Sequence, residues 1–104
     1  MIRIMLACAG GFSTSLLMNK MLDEAKKRGI DVTVNAIGEK TISEHLGEFD
    51  VLLLGPQVRY MLNDTTKLLN GTCPCNVIDM RDYGTMNGAK VLDAALKMYE
   101  EFNK

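Results

Sequence analysis

Apolar runs and amphipathic helical patterns alternate along the 104 residues of this chain, and that alternation predicts an α/β domain with a parallel sheet and helices on both faces. Two runs, 2–7 (IRIMLA) and 50–55 (DVLLLG), are almost continuously apolar, as expected of central strands buried on both sides. The length suits one domain spanning 1–104 and leaves no linker.

The elements follow in order. Strand 1 covers 2–7. Helix 1 covers 13–28, with Leu17, Met21, Leu22 and Ala25 on one face and Gly29 as its stop. Residues 31–36 (DVTVNA) alternate, with Val32, Val34 and Ala36 facing one way, and predict an edge strand. Thr41 and Glu44 match a capping box, predicting a short helix through Leu46. Strand 3 occupies 50–55, and Pro56 opens the next turn. Val58, Met61, Leu62, Thr65, Leu68 and Leu69 mark one face of a helix that Gly71 ends. Residues 75–79 (CNVID) form strand 4. Val91, Leu92, Ala95, Leu96, Tyr99 and Phe102 mark the last helix. With strands 1 and 3 central, right-handed crossovers give the order 2-1-3-4.

Composition excludes several classes. A formal net charge of −1 without a basic block argues against nucleic acid, and six aromatics scattered away from basic residues make no base-stacking platform. No apolar stretch is long enough to cross a bilayer. The apolar part of the N-terminus is short and followed at once by glycine and hydroxyl residues, so it reads as a strand rather than a signal peptide. Three irregularly spaced cysteines fit a reducing compartment, and the chain is expected in the cytoplasm.

Candidate chemistry gathers after strand 1. In a doubly wound sheet the working crevice lies beyond the carboxyl ends of the strands, where the winding reverses. That point falls between strands 1 and 3, and Cys8 follows strand 1 directly. The loop Ala9, Gly10, Gly11, Phe12, Ser13, Thr14 and Ser15 can aim backbone N–H groups and hydroxyls at a tetrahedral oxyanion, with the positive end of helix 1 behind them. Helix N-termini also lower a thiol's pKa from about 8.5, so Cys8 is expected to be substantially thiolate at neutral pH. The plainer reading is a buried, inert core cysteine. Position at the switch point, the hydroxyl run and the following helix favour the reactive one.

A nucleophilic thiolate in an anion cradle suggests phosphoryl transfer through a cysteinyl phosphate. Low-molecular-weight tyrosine phosphatases carry C-x5-R-S at such a place. This chain has C-x5-T-S, with Thr14 where the arginine would clamp phosphoryl oxygens, and has no D-P acid loop. Such a site can accept and hand on a phosphoryl group but is poorly equipped to hydrolyse an ester.

The stretches CAGGFSTSLL and DVLLLGPQVRYML, with VIDMRDYGTMNG and the closing helix, resemble the enzyme IIB component of the lactose/cellobiose class of the bacterial phosphotransferase system. The resemblance covers essentially the whole chain. It implies a four-stranded parallel sheet like that of the low-molecular-weight phosphatases. It implies that Cys8 receives a phosphoryl group from a phosphohistidine on a IIA protein and passes it to a sugar, such as cellobiose or lactose, carried by the membrane component IIC. It implies that residues 9–15 are the phosphoryl cradle. No cofactor or metal is called for.

Gln57, Arg59 and Tyr60 follow strand 3, and Asp79, Arg81 and Tyr83 follow strand 4, so all six are expected on the rim of Cys8 as a partner-docking surface. Capping or simple solvation of these residues is about as probable on sequence grounds. His45, the one histidine, lies far in sequence from the switch-point loops and is expected in a surface or packing role, and Lys20 lies too far along helix 1 to clamp a phosphate. Cys73 and Cys75 make half a metal site at most and fall at the opposite end of the sheet. The eight methionines read as core, with Met61 placed to border the rim. Transient contacts with two partners favour a monomer. The competing readings are a small phosphatase or arsenate reductase-like enzyme, and an anion-binding module in which Cys8 is incidental.

Overall fold

The structure, a computed structural model, describes residues 1–9 and 12–103, with the side chains of 12 and 13 left out of the description. A parallel sheet in the order β2-β1-β3-β4 forms its centre. Its strands are β1 (Ile2–Cys8), β2 (Val32–Gly38), β3 (Val51–Leu54) and β4 (Cys75–Val77). The expected order and direction are those observed.

The central strands earn their places by composition. All four residues of β3 are buried, as are 4–8 of β1. Period-two alternation then divides the core in two. Ile4, Leu6, Cys8, Val51 and Leu53 face one side, where α1 (Phe12–Arg28) and α4 (Gly88–Phe102) supply Leu17, Met21, Ala25, Val91, Leu92 and Ala95. Met5, Ala7, Leu52 and Leu54 face the other, against Ile42, Phe49, Val58 and Leu69.

α1 ends as its sequence demands. Gly29 takes φ +67°, its N–H reaches Lys26 O at 3.2 Å, and Ile30 N–H reaches Ala25 O at 2.9 Å. This is the Schellman pair, which satisfies two terminal carbonyls. At the amino end of the sheet the Arg3 guanidinium donates to both oxygens of Asp50, at 3.3 Å from Nε and 3.1 Å from the terminal nitrogen. That fork ties the starts of β1 and β3 and holds the Asp50 carboxyl below its usual range.

Four local expectations change. The Thr41–Glu44 capping box does not form: a 3-10 helix begins earlier, at Glu39, and the Thr41 hydroxyl donates back to Gly38 O at 2.8 Å. The helix after β3 is two pieces, a 3-10 turn (Pro56–Met61) and α2 (Leu62–Leu69), joined at a kink where Val58 leaves helical angles to bury its side chain. α2 ends at Asn70, whose left-handed φ of 49° precedes that of Gly71. A short helix, α3 (Met80–Gly84), follows β4 and was not anticipated, because five residues show no helical period.

Candidate functional site

Cys8 ends β1 at the carboxyl edge of the sheet, level with Gly38 on β2. On the other side Gly55 extends β3, its N–H donating to Ala7 O at 2.8 Å. Cys8 is thus flanked by glycine on both strands. The two glycines are not equivalent. A Cβ on Gly38 would meet nothing within 4 Å, whereas one on Gly55 would lie 2.7 Å from Cys8 Sγ and 2.6 Å from Gln57 Oε1. Gly55 therefore leaves room for the sulfur, and the Gln57 amide folds back over the same point from an otherwise exposed residue. Sequence reasoning missed Gly55. Its signal was only a glycine ending an apolar strand, the usual mark of close backbone approach.

Cys8 is 3% exposed and belongs to the core cluster beneath α1 and α4. The two readings weighed from sequence thus coexist: the residue is buried, and it stands at the switch point. β2 and β3 close its flanks, and α1 and α4 cover its face. α1 begins four residues later and presents its N-terminal dipole end to the carboxyl rim. In its first turns Thr14 is buried and Ser15 exposed. Thr14 thus fills with a packed side chain the position where a phosphatase would carry its arginine. Gly10 and Gly11, and the side chains of Phe12 and Ser13, lie outside the described residues, so the expected cradle is described only at Ala9, Thr14 and Ser15.

The six rim residues divide. Gln57, Arg59 and Tyr60 ride on the 3-10 turn after β3: the Gln57 amide folds back toward Cys8, whereas Arg59 and Tyr60 are exposed, Tyr60 at 76%. Arg81 is exposed as well. Asp79 serves as the N-cap of α3, accepting from Arg81 N–H at 2.9 Å and Asp82 N–H at 3.1 Å. Tyr83 is corrected: α3 turns it into the core, where it is 8% exposed, so it offers no docking surface. Met61 is half-buried against the second cluster.

His45 ends its 3-10 helix and meets Glu48 through Nδ1 at 3.1 Å. Register runs Met5–Leu52–Cys75 across three strands, which puts Cys75 two strands over and three residues back from Cys8, on the order of 14 Å away. Burial pushes the Cys73 thiol up to about 11, helped by the Asp50 charge. Burial, with Cys73 second, pushes Cys75 up to about 12. Both stay neutral at physiological pH and pack as small apolar groups. Among the described residues no group of three or more His, Cys, Asp and Glu could hold a metal, and no helix is long and apolar enough to cross a membrane.

Gly55→Ala is expected to slow chemistry at Cys8 by tenfold or more. The new methyl must displace either the sulfur or the Gln57 amide, and a 1 Å misplacement can cost about a hundredfold. The rate of Cys8 alkylation in the folded variant, compared with Gly38→Ala, checks this; equal rates would count against the assigned contact.

Residues 3–94 match the family described as PTS system, lactose/cellobiose-specific IIB subunit. A galactose-specific EIIB component of Lactococcus lactis subsp. cremoris is 45% identical over 98 residues, covering 88% of this chain and 91% of the relative. An oligo-beta-mannoside-specific EIIB component of Bacillus subtilis is 34% identical, covering 92% and 94%. The solution structure of a cellobiose-specific phosphotransferase IIB component from Borrelia burgdorferi superposes with a TM-score of 0.79 at 38% identity, covering 96% of this chain and 93% of that one. A more distant likeness of fold, TM-score 0.54 at 12% identity, relates the chain to the YwlE mutant of Bacillus subtilis.

Proposed function

Since the chain belongs to the lactose/cellobiose-specific IIB family of the sugar phosphotransferase system, we propose that Cys8 is its phosphoryl carrier. The observation that carries this reading is the placement of Cys8. One sulfur ends the central strand at the switch point, Gly55 is kept bare beside it, and a helix N-terminus follows. IIB components are phosphotransferases that work between a IIA and a IIC partner, and the residues here fit that task. The Cys8 sulfur attacks phosphorus on a phosphohistidine of the IIA protein; an S–P bond forms, the N–P bond breaks, and the imidazole keeps the electron pair. A sugar hydroxyl held by the membrane component IIC then attacks the same phosphorus; an O–P bond forms, the S–P bond breaks, the hydroxyl proton passes to water, and the thiolate leaves. Residues 9–15 cradle the phosphoryl oxygens through backbone N–H groups and hydroxyls. The thiolate is a competent leaving group, so no further acid is needed at this chain.

Gln57, Arg59, Tyr60 and Arg81 supply the docking rim, the chain acts as a monomer, and the reaction takes place on the cytoplasmic face. The sugar is a β-linked disaccharide such as cellobiose or lactose. Hydrolysis, as in a phosphatase, has less support: Thr14 stands where the clamping arginine would be, and neither Cys73 nor Cys75 reaches Cys8 as a resolving thiol.

The test is to incubate the protein with phosphoenolpyruvate, the general phosphotransferase proteins and a IIA partner, then locate the added phosphoryl group by peptide mass. It is expected on the peptide holding Cys8. An acid-labile phosphate on His45 would overturn the assignment.

A further inference from the structure

We propose that the open edge of the sheet beside β4 docks a basic, apolar-tipped cytoplasmic segment of the membrane component; this rests on the reading that a membrane partner receives the phosphoryl group from Cys8. A cavity of about 310 Å³ lies there, between β4, the start of α3 and one face of α4. Its floor is apolar, made by Leu53, Val77, Ile78 and Val91, with exposed Ala94 and half-buried Met98 at its side. Its rim is acidic. Asp79, Asp82 and Glu101 face a single cation, Lys97, which already meets Glu101 at 4.0 Å. Arg81 and Lys90 line an adjoining hollow that shares Asp79 and Asp82 with this one.

Two arguments choose the occupant. The first is charge. Cytoplasmic segments of membrane proteins carry an excess of Lys and Arg, which complements a rim of three carboxylates and one ammonium; long basic side chains also cover apolar floor with their stems. The second is the mode of entry. β4 is an edge strand of three residues, and the Val77 N–H, which the ladder turns away from β3, is taken by Asn76 Oδ1 at 2.8 Å. That blunts addition of a further strand, so the partner enters by side chains: an apolar tip over Ala94 and Met98, with basic groups at Asp82 and Glu101. Asp79 follows β4 on the carboxyl edge of the sheet, two strands over from Cys8, so a segment lodged there sits on the same edge as the sulfur.

The test uses the full chain, a IIA donor and membrane vesicles bearing the sugar-transporting partner. Ala94→Trp fills the groove from an exposed site, and Asp82→Lys with Glu101→Lys inverts its rim. Each is expected to raise the protein concentration giving half-maximal sugar phosphorylation roughly tenfold, about 1.4 kcal/mol of docking, while phosphorylation of Cys8 by IIA stays unchanged. Added salt should weaken wild type and spare the charge-inverted variant. Unchanged half-maximal concentrations, or a parallel loss of phosphorylation by IIA, would overturn the groove as the membrane partner's site. Co-sedimentation of the unphosphorylated chain with the same vesicles separates the two readings. A wild-type chain that fails to bind, or variants that bind equally well, sinks the groove. A chain that binds through the groove but never gains phosphate on Cys8 sinks the transfer reading alone.

Discussion

Cys8→Ser is expected to abolish phosphoryl acceptance by the chain and to leave it folded. The substitution exchanges a thiol for an alcohol in a site 3% exposed. A buried hydroxyl without a partner costs about 1–3 kcal/mol, a fraction of the roughly 5–15 kcal/mol that holds such a domain together. Chemistry suffers far more. A serine hydroxyl at neutral pH attacks phosphorus only with a base beside it, and the one histidine lies on a 3-10 helix, engaged with Glu48. Cys73 and Cys75 cannot substitute, because burial keeps both protonated. Intact mass after exposure to the IIA donor should therefore show a phosphoryl group on wild type and none on the variant, whose melt stays cooperative with a midpoint lower by about 4–24 °C. Phosphorylation of the serine variant to the same extent would leave Cys8 an incidental core residue.

That experiment addresses a tension that the sequence already contains. Ile4, Leu6 and Cys8 share one face of β1, so a reading by alternation buries the thiol with the core. The run of glycines and hydroxyls after it calls for a ligand. The two readings meet at Cys8 because it is the last residue of the strand, where the sheet's interior meets its carboxyl rim. The strand order was legible because 2–7 and 50–55 are apolar on both faces and only a central place hides both. Tyr83 was misplaced for the converse reason. Counting residues beyond β4 puts it on the rim, but α3 intervenes, and one helical turn is enough to reverse a side chain. Gly55 carried only a faint signal, a glycine ending an apolar strand, since one of the two groups that crowd a Cβ there, the Cys8 sulfur, comes from another strand.

The same blindness applies to Gly88, where the largest stability effect is expected. In sequence it is a poor helix former at the head of α4, and alanine there should gain up to about 1 kcal/mol. In the fold its missing Cβ would stand 2.6 Å from the carbonyl carbon of Lys20, 2.7 Å from Lys20 Cβ and 2.7 Å from Met21 N. Two of these are backbone atoms of α1, which cannot swing aside as a side chain could. Either α4 lifts from α1, loosening the packing of Met21, Leu17 and Ala25 on Leu92 and Ala95, or the helix start distorts. The ion pair of Arg28 with Asp93, which links α1 to α4, is partly exposed and too weak to hold the helices against that strain. Overpacking of this kind costs about 1–3 kcal/mol, so the steric cost overrides the propensity gain for Gly88→Ala, and Gly88→Val should lose still more. At roughly 4–8 °C per kcal/mol for a domain of this size, the loss is plain in a thermal melt. Gly84→Ala is the matched control, as a Cβ there meets nothing within 4 Å. Equal melting temperatures for Gly88→Ala and Gly84→Ala would mean that α1 and α4 are not in backbone contact. Because α1 starts four residues after Cys8 and packs over the same core face, any lift of the helix pair should slow phosphoryl acceptance in step with the fall in stability, whereas Gly84→Ala should leave both untouched.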